Sequence, residues 1–321
     1  MQHIMFHEYG GPEVLKLAEA PTPEPGPGQA LIKIAAAGVN FVEIYQRSGM
    51  YKVPLPATIG SEGAGTVQAV GPGVNEVKAG DRVAWFQGSG SYATDVVVPV
   101  EKLVPVPEGV SLEQAAAVIL QGTTAHVLSR ATYPVKPGDR CLVHAAGGGV
   151  GLLLCQMIKM AGGYVIGTTS TEDKAEMARQ AGADAVILYT QVDFEAEVRR
   201  ITDGQGLDVV YDSVGKDTFN KSLACLGPLG YMVLFGQSSG FVPPFEIRRL
   251  AEKSLFLTRA MVFPYTRTHA LMLQHSDEVL KWVAEGKLRV HINRSYRLSE
   301  AGEAQRALAA RETKGKLLLI P

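Results

Sequence analysis

Arg140-Cys-Leu-Val-His-Ala-Ala-Gly-Gly-Gly-Val-Gly-Leu-Leu-Leu-Cys-Gln-Met-Ile-Lys159 is the stretch that decides the fold. An apolar strand (Cys141, Leu142, Val143) runs into a turn with almost no side chains, and Val150 to Ala161 is apolar enough for a buried helix. That is the strand–turn–helix context of the dinucleotide fingerprint. Read strictly, the motif is Ala146-x-Gly148-x-x-Gly151, with alanine at the first glycine position and Gly149 and Val150 completing the turn. Missing side chains let the backbone approach a pyrophosphate, whose charge then rests on the helix N-terminus. The competing reading is a tight turn with close helix packing. The alternation of strands and helices that follows favours the dinucleotide.

Downstream, strands are expected at 140–144, 164–168, 185–189, 208–212, 230–235 and 254–258. Helices are expected between them at 151–161, 172–180, 194–202 and 218–226, with Ala181-Gly182 stopping the second. This alternation implies an α/β fold with a doubly wound parallel sheet. Upstream, residues 1 to about 120 read as β-rich, with short alternating segments such as Ala30–Ala35 and Thr94–Val98 between Pro/Gly turns. Pro21 to Gly28 cannot be helical and makes a surface loop. Lys78-Ala-Gly-Asp-Arg-Val83 and Lys136-Pro-Gly-Asp-Arg-Cys141 read as one device used twice, a turn feeding a strand. A helix from Leu112 to Ala125 bridges to the second domain. After a long helix at 266–284, a strand at 290–298 and a helix beyond Ser299, the closing strand Lys316–Ile320 returns the chain to the first domain.

The chain has 321 residues, enough for two domains, and 46% hydrophobic and 20% charged residues describe a globular protein with a sizeable core. A net charge of −1 excludes a field attracting nucleic acid or acidic membrane. Cys141, Cys155 and Cys225 sit among apolar neighbours and read as reduced core residues in a cytoplasmic protein. No apolar run approaches the length of a membrane span, and Met1-Gln-His-Ile does not read as a signal peptide.

The second strand bears on the nucleotide. An acid roughly 20 residues past the glycines holds the ribose hydroxyls of NAD. Here that place reads Gly167-Thr-Thr-Ser-Thr171, and Glu172 and Asp173 read as caps of the following helix together with Ser170. Lys174 follows, and Tyr189 ends the third strand. A 2′-phosphate needs donors and positive charge, so NADPH is favoured over NADH. The alternatives are a solvated surface lysine and an ordinary strand end.

Ala37-Gly-Val-Asn40, Gly60-Ser-Glu-Gly-Ala-Gly65, Gln121-Gly-Thr-Thr-Ala125, Gly138-Asp-x-x-Leu142 and Gly315-Lys-Leu-Leu-Leu-Ile-Pro321 give the whole chain a likeness. It resembles the zinc-independent quinone oxidoreductases, the zeta-crystallin-like branch of the medium-chain dehydrogenase/reductase superfamily. The resemblance implies a GroES-like catalytic domain at 1–121 and 264–321, split around a Rossmann NADPH-binding domain at 122–263, with the active site in the cleft. It further implies Asn40, Tyr45, Arg47 and Tyr51 at the rim, facing a quinone or conjugated carbonyl. Cofactor contacts are implied for Gln121, Thr124, Ala146, Gly148, Gly149, Val150, Gly151, Ser170, Lys174, Tyr189, Phe235, Gly236, Gln237, Ser238 and Arg311. A homodimer is implied through the apolar last strand, around Phe256. Within this set, Tyr45 reads equally as packing, Arg47 as a helix-end charge, and Tyr51 either as a stacking ring or as a proton donor.

Zinc-using relatives place a cysteine and a Gly-His-Glu unit where this chain has Asn40 and Gly60-Ser61-Glu62. A catalytic zinc takes about three protein ligands, and Glu62 alone cannot supply them. The seven histidines show no ligand spacing, so no metal is expected. Without a Lewis acid, the suitable acceptor is one already prone to take hydride, such as a quinone. An enone, alkenal or enoyl group is the nearest alternative. A crystallin-like or RNA-binding protein is the alternative of a different class, disfavoured by the lack of a basic stripe.

Overall fold

Two short turns of one design launch the strands Arg82–Phe86 and Arg140–Val143. In the first, Lys78 N donates to Asp81 Oδ2 at 2.9 Å and Asp81 N returns to Lys78 O at 3.1 Å. In the second, Lys136 N donates to Asp139 Oδ2 at 2.8 Å and Asp139 N to Lys136 O at 3.1 Å. Gly80 and Gly138 take the positive φ that each turn requires, 92° and 88°. The device read from the sequence is present at both places.

The structure, a computed structural model, describes residues 1–321. The chain divides into two units, Met1–Thr123 with Thr266–Pro321, and Thr124–Tyr265. In the first unit a seven-stranded sheet runs in the order Ile292–Arg297, Lys316–Ile320, Gln29–Val39, Glu62–Val70, Arg82–Phe86, Leu103–Pro105, with Asp95–Pro99 also pairing with Gln29–Val39. The expected strand Ala30–Ala35 is longer than read, reaching Gln29–Val39, because Glu62–Val70 and Lys316–Ile320 both pair with its far half. A small sheet of Gln2–Phe6, Lys16–Glu19 and Ala57–Thr58 adjoins it. Ile4, Phe6, Ile32, Val39, Trp85, Tyr92, Leu317 and Leu319 lie in its buried core.

The second unit is a six-stranded parallel sheet in the order Ala185–Leu188, Tyr164–Thr169, Arg140–Val143, Leu207–Asp212, Leu226–Leu234, Phe256–Arg259. The order reverses at Arg140–Val143, so the chain leaves that strand at the switch point where such sheets take ligands. The helices Gly149–Met160, Glu172–Gln180, Phe194–Ile201 and Phe219–Cys225 alternate with the strands as expected. Gly182, at φ 99°, ends the second of them. The last strand begins later than the expected 254, because Ser254 sits in a left-handed turn at φ 51° and pairing starts at Tyr231 with Phe256. The long helix likewise begins at His269: Thr268, in extended backbone, caps it by accepting from Leu271 N.

Behind the switch point a hydrogen-bonded network ties three strand ends together. Asp212 accepts from Val214 N at 2.7 Å, Gly215 N at 3.0 Å, Thr218 Oγ1 at 2.7 Å and Ser222 Oγ at 3.2 Å. Ser222 Oγ lies 2.9 Å from His144 Nε2, and His144 Nδ1 lies 2.9 Å from Thr168 Oγ1. With the Ser222 hydroxyl given to Asp212, Nε2 carries the imidazole proton and Nδ1 accepts from Thr168. Burial holds the His144 pKa below its ordinary value, against the opposing pull of Asp212. The unfolded chain therefore takes up a proton at His144 before the native protein does. The stability this neutral group contributes is complete above the ordinary histidine pKa and declines as pH falls below it. We expect the stability advantage of the wild type over His144→Gln to shrink as pH is lowered from 7.5 to 5.5. Its slope should not exceed about 1.4 kcal/mol per pH unit for one proton, as read from urea melts across that range.

Candidate functional site

In the second unit the glycine turn is shaped by what it excludes. Ala145 enters it at φ 51°, and Gly148 N donates to Ala145 O at 2.9 Å. A methyl at Gly151 would overlap that same carbonyl, so the helix can start here only without a side chain. Alanine at the first glycine position is accommodated because Ala146 packs against Gly167, where an added Cβ would lie 2.8 Å from the Ala146 methyl. Gly148 caps the helix Gly149–Met160 with no side-chain hydrogen bond, leaving the first-turn backbone donors for an anion.

Of the other residues expected at the nucleotide, Lys174 lies against this turn. An added Cβ at Gly147 would lie 2.8 Å from Lys174 Cβ, so the lysine stem runs along the glycines. Tyr189 N donates to Thr169 O at 3.2 Å, and Thr190 Oγ1 to Ser170 O at 3.0 Å, so Tyr189 and Ser170 meet at the end of the second strand. The cap of the helix Glu172–Gln180 is Thr171, not Ser170: its side chain accepts from Lys174 N. Thr171 takes that place because it holds the extended backbone immediately before the helix. Phe235 N and Gly236 N both donate to Asp212 O, and Ser238 N to Ser213 O, which ties the loop 235–238 to the neighbouring strand end; Gln237 is buried within it. Thr124 is half-buried on the helix Leu112–Val127.

In the first unit, a buried polar cluster surrounds Asn40. Leu317 pairs with Val39, and Ala37 with Gly63, so the registers carry Lys316 and Glu62 to either side of the strand end at Asn40. Lys316 Nζ contacts Glu62 Oε1, donates to Asn40 Oδ1 at 2.7 Å and to Val39 O at 3.2 Å. Asn40 Nδ2 donates to Glu62 Oε1 at 2.8 Å, and Leu120 N to Glu62 Oε2 at 2.9 Å. Gln121 Nε2 reaches Asn40 Oδ1 at 3.4 Å, while Gln121 Oε1 is buried without a hydrogen-bond partner. Gly38 has no side chain because a methyl there would overlap the Glu62 carboxylate.

A second buried carboxylate lies close by. Glu43 accepts from Asn40 N at 2.7 Å and Ser61 N at 3.0 Å. Burial raises its pKa to about 7, against the lowering effects of Ser61, Lys316 and the Asn40 backbone, while Glu62 adds to the rise.

Tyr45 and Tyr51, both half-buried, meet edge to face with ring centroids 5.2 Å apart. Tyr51 N donates to Tyr45 O at 2.9 Å, which folds the segment after the helix Phe41–Arg47 back on itself. Arg47 is neither a rim residue nor a surface charge. It is buried, donating from Nε to Gln305 Oε1 at 2.8 Å and from a terminal nitrogen to Gly10 O at 2.7 Å. Arg311 is an exposed residue in a left-handed turn beyond the helix Ala301–Ala309, at φ 59°.

Sequence reading missed Glu43 and Lys316. A faint signal exists for each: Glu43 stands three residues after a strand-ending asparagine, and Lys316 opens an otherwise wholly apolar strand. No group of three or more His, Cys, Asp or Glu side chains is placed to hold a metal ion.

Two family models match the chain, the zinc-binding dehydrogenase over residues 149–277 and the alcohol dehydrogenase GroES-like domain over residues 26–108. The quinone oxidoreductase of Pseudomonas aeruginosa is 44% identical over 323 aligned positions, spanning 100% of this chain and 99% of that protein. The crystal structure of Escherichia coli quinone oxidoreductase complexed with NADPH is similar at a TM-score of 0.98 and 41% identity, covering 100% of both chains. A 2-haloacrylate reductase of Burkholderia sp is 38% identical, over 99% of this chain and 98% of that protein.

Proposed function

Because this chain belongs to the quinone oxidoreductase family of the medium-chain dehydrogenase/reductase superfamily, we infer that it is an NADPH-dependent quinone reductase. The observation that carries the coenzyme half of this reading is the uncapped helix start at Gly148 with the Lys174 stem beside Gly147. The donors suit a pyrophosphate, and the place where an NAD enzyme sets an acid reads Gly167-Thr-Thr-Ser-Thr171, with Lys174 following it. In this reading Gly148, Gly149, Val150 and Gly151 hold the pyrophosphate, and Ser170, Lys174 and Tyr189 the 2′-phosphate end. Thr124, Ala146 and the loop Phe235-Gly-Gln-Ser238 line the remainder on the same unit; Gln121 and Arg311 are assigned to the coenzyme as well. The unsatisfied Gln121 Oε1 is an acceptor that a bound ligand's N–H or O–H would complete.

Bound NADPH supplies hydride to the acceptor. The chain's own part is to hold that acceptor, and we assign this to Asn40, Tyr45 and Tyr51. Asn40 has an amide N–H beyond the one given to Glu62, suited to an acceptor oxygen, and the two tyrosines offer ring faces and edges. Zinc does not fit: the Asn40 position carries an amide, and Glu62 is engaged by the Lys316 ammonium rather than by further metal donors. Similarity to a 2-haloacrylate reductase favours a conjugated carbonyl as the second acceptor class. Turnover of 1,4-benzoquinone and of a 2-alkenal, each with NADPH and NADH, before and after exhaustive chelation, tests the assignment. The quinone with NADPH should be the best pair, undiminished by chelation. Preference for the alkenal would move the enzyme to the second class, and zinc-dependent turnover would overturn the metal reading.

We further assign a homodimer built on the sheet edge Phe256–Arg259. Phe256 is 47% exposed there and stacks on Tyr231 at 4.4 Å, giving an apolar edge suited to pairing. Light scattering at micromolar concentration should give twice the chain mass; a monomer would reject the assignment. The three buried unpaired cysteines support a cytoplasmic setting, which cell fractionation checks. No helix is long and apolar enough to cross a membrane.

Lys174→Ala should weaken NADPH binding by an order of tens-fold, from the loss of a charge-assisted contact worth about 1.5–3 kcal/mol, and leave NADH nearly unchanged. Equal losses for both coenzymes in a fluorescence titration would remove Lys174 from the phosphate site. Tyr51→Phe should be almost silent in quinone turnover, since a quinone accepts hydride without strong acid assistance. A fall of roughly 10²–10⁴-fold would instead make its hydroxyl the proton donor.

A further inference from the structure

We propose that Lys316 is a positioning residue for quinone reduction, acting through Asn40 by fixing which end of its amide faces the acceptor. The inference rests on the assignment of Asn40 to the acceptor site. Lys316 is 1% exposed and comes from a strand 276 positions away in sequence, so nothing local requires a lysine there. Its three ammonium hydrogens match three partners: Glu62 Oε1, Asn40 Oδ1 and Val39 O. It therefore has no donor left for a substrate, and its effect must pass through the groups it holds.

An asparagine amide presents oxygen and nitrogen in nearly the same shape, so packing alone does not choose between its two orientations. Charge chooses here. The carboxylate of Glu62 takes a hydrogen from Nδ2, while the Lys316 ammonium and the Gln121 amide donate to Oδ1. Turned over, the amide would set its NH2 against an ammonium and its oxygen against a carboxylate, losing charge-assisted bonds on both sides. Only the observed orientation keeps the second Nδ2 hydrogen available to an acceptor oxygen, where negative charge grows as hydride arrives. Glu62 alone holds only the Nδ2 end: without the ammonium the amide oxygen loses its strongest donor.

The test compares Asn40→Ala, Lys316→Met and the double variant in steady-state quinone reduction, with NADPH affinity measured by titration in each. Lys316→Met should lower kcat by roughly ten- to a hundredfold, part of the effect of losing a transition-state donor, with NADPH affinity unchanged. The double variant should be no slower than Asn40→Ala alone. Because Lys316→Met leaves the Glu62 carboxylate buried without its counter-charge, Glu62→Gln/Lys316→Met is made as well. It removes both charges, should melt cooperatively, and should remain slow in kcat with or without Asn40→Ala. Multiplying effects in the double variant, or wild-type kcat in either lysine variant, would overturn the proposal while leaving Asn40 at the acceptor. Wild-type turnover in Asn40→Ala would instead overturn the acceptor assignment, and the proposal with it.

Discussion

The ion pair between Lys316 and Glu62 is buried on both sides, with side chains 2% and 0% exposed. Desolvating two such ions costs several kcal/mol apiece, and their attraction offsets this only when the remaining donors and lone pairs are also satisfied. Here they are. The ammonium meets three acceptors, and the carboxylate takes Lys316, Asn40 Nδ2 and the backbone of Leu120. These bonds join the closing strand, the end of the longest strand, the strand Glu62–Val70 and the helix Leu112–Val127. The same need explains Gly38, where any side chain would displace the carboxylate. Glu43 adds a second acid to the neighbourhood, and burial above all, with Glu62 adding to it, raises its pKa to about 7.

The second unit handles its polar groups differently. Its buried network from Asp212 through Ser222 and His144 to Thr168 spans three strand ends with a neutral imidazole, so no cation has to be desolvated. Its positive potential lies instead at the open helix start, where backbone donors have no side-chain cap. The first unit thus holds a fixed amide between full charges. The second presents backbone dipoles that need no counter-ion of their own. Both are preorganised, the first by an ion pair and the second by the exclusion of side chains from a turn.

Much of this was legible along the chain. The glycine turn, the parallel alternation after it and the twin Lys-x-Gly-Asp turns depend on backbone conformation and apolar periodicity, which adjacent residues set. The missing acid at Gly167–Thr171 and the lysine after it were likewise visible, because the second strand and its helix are contiguous. Element ends were less so. Ser254 and Thr268 shifted two boundaries through a left-handed turn and a cap, features of single residues that periodicity averages over.

Arg47 and Lys316 mark the limit. Arg47 reads as a charge at a helix end, yet Gln305, 258 positions later, and the Gly10 carbonyl draw it into the interior. Lys316 opens an otherwise apolar strand, and the pairing of Leu317 with Val39 sets it beside Asn40 and Glu62. By itself the sequence determined the strand–turn–helix unit, its turn bare of side chains and the order of elements, since local sterics and short-range hydrogen bonds suffice for these. Only the tertiary structure decided which charges are buried together and which way the Asn40 amide is held. Those depend on strand register between segments hundreds of residues apart, and a shift of one position would send Lys316 to the opposite face of its sheet.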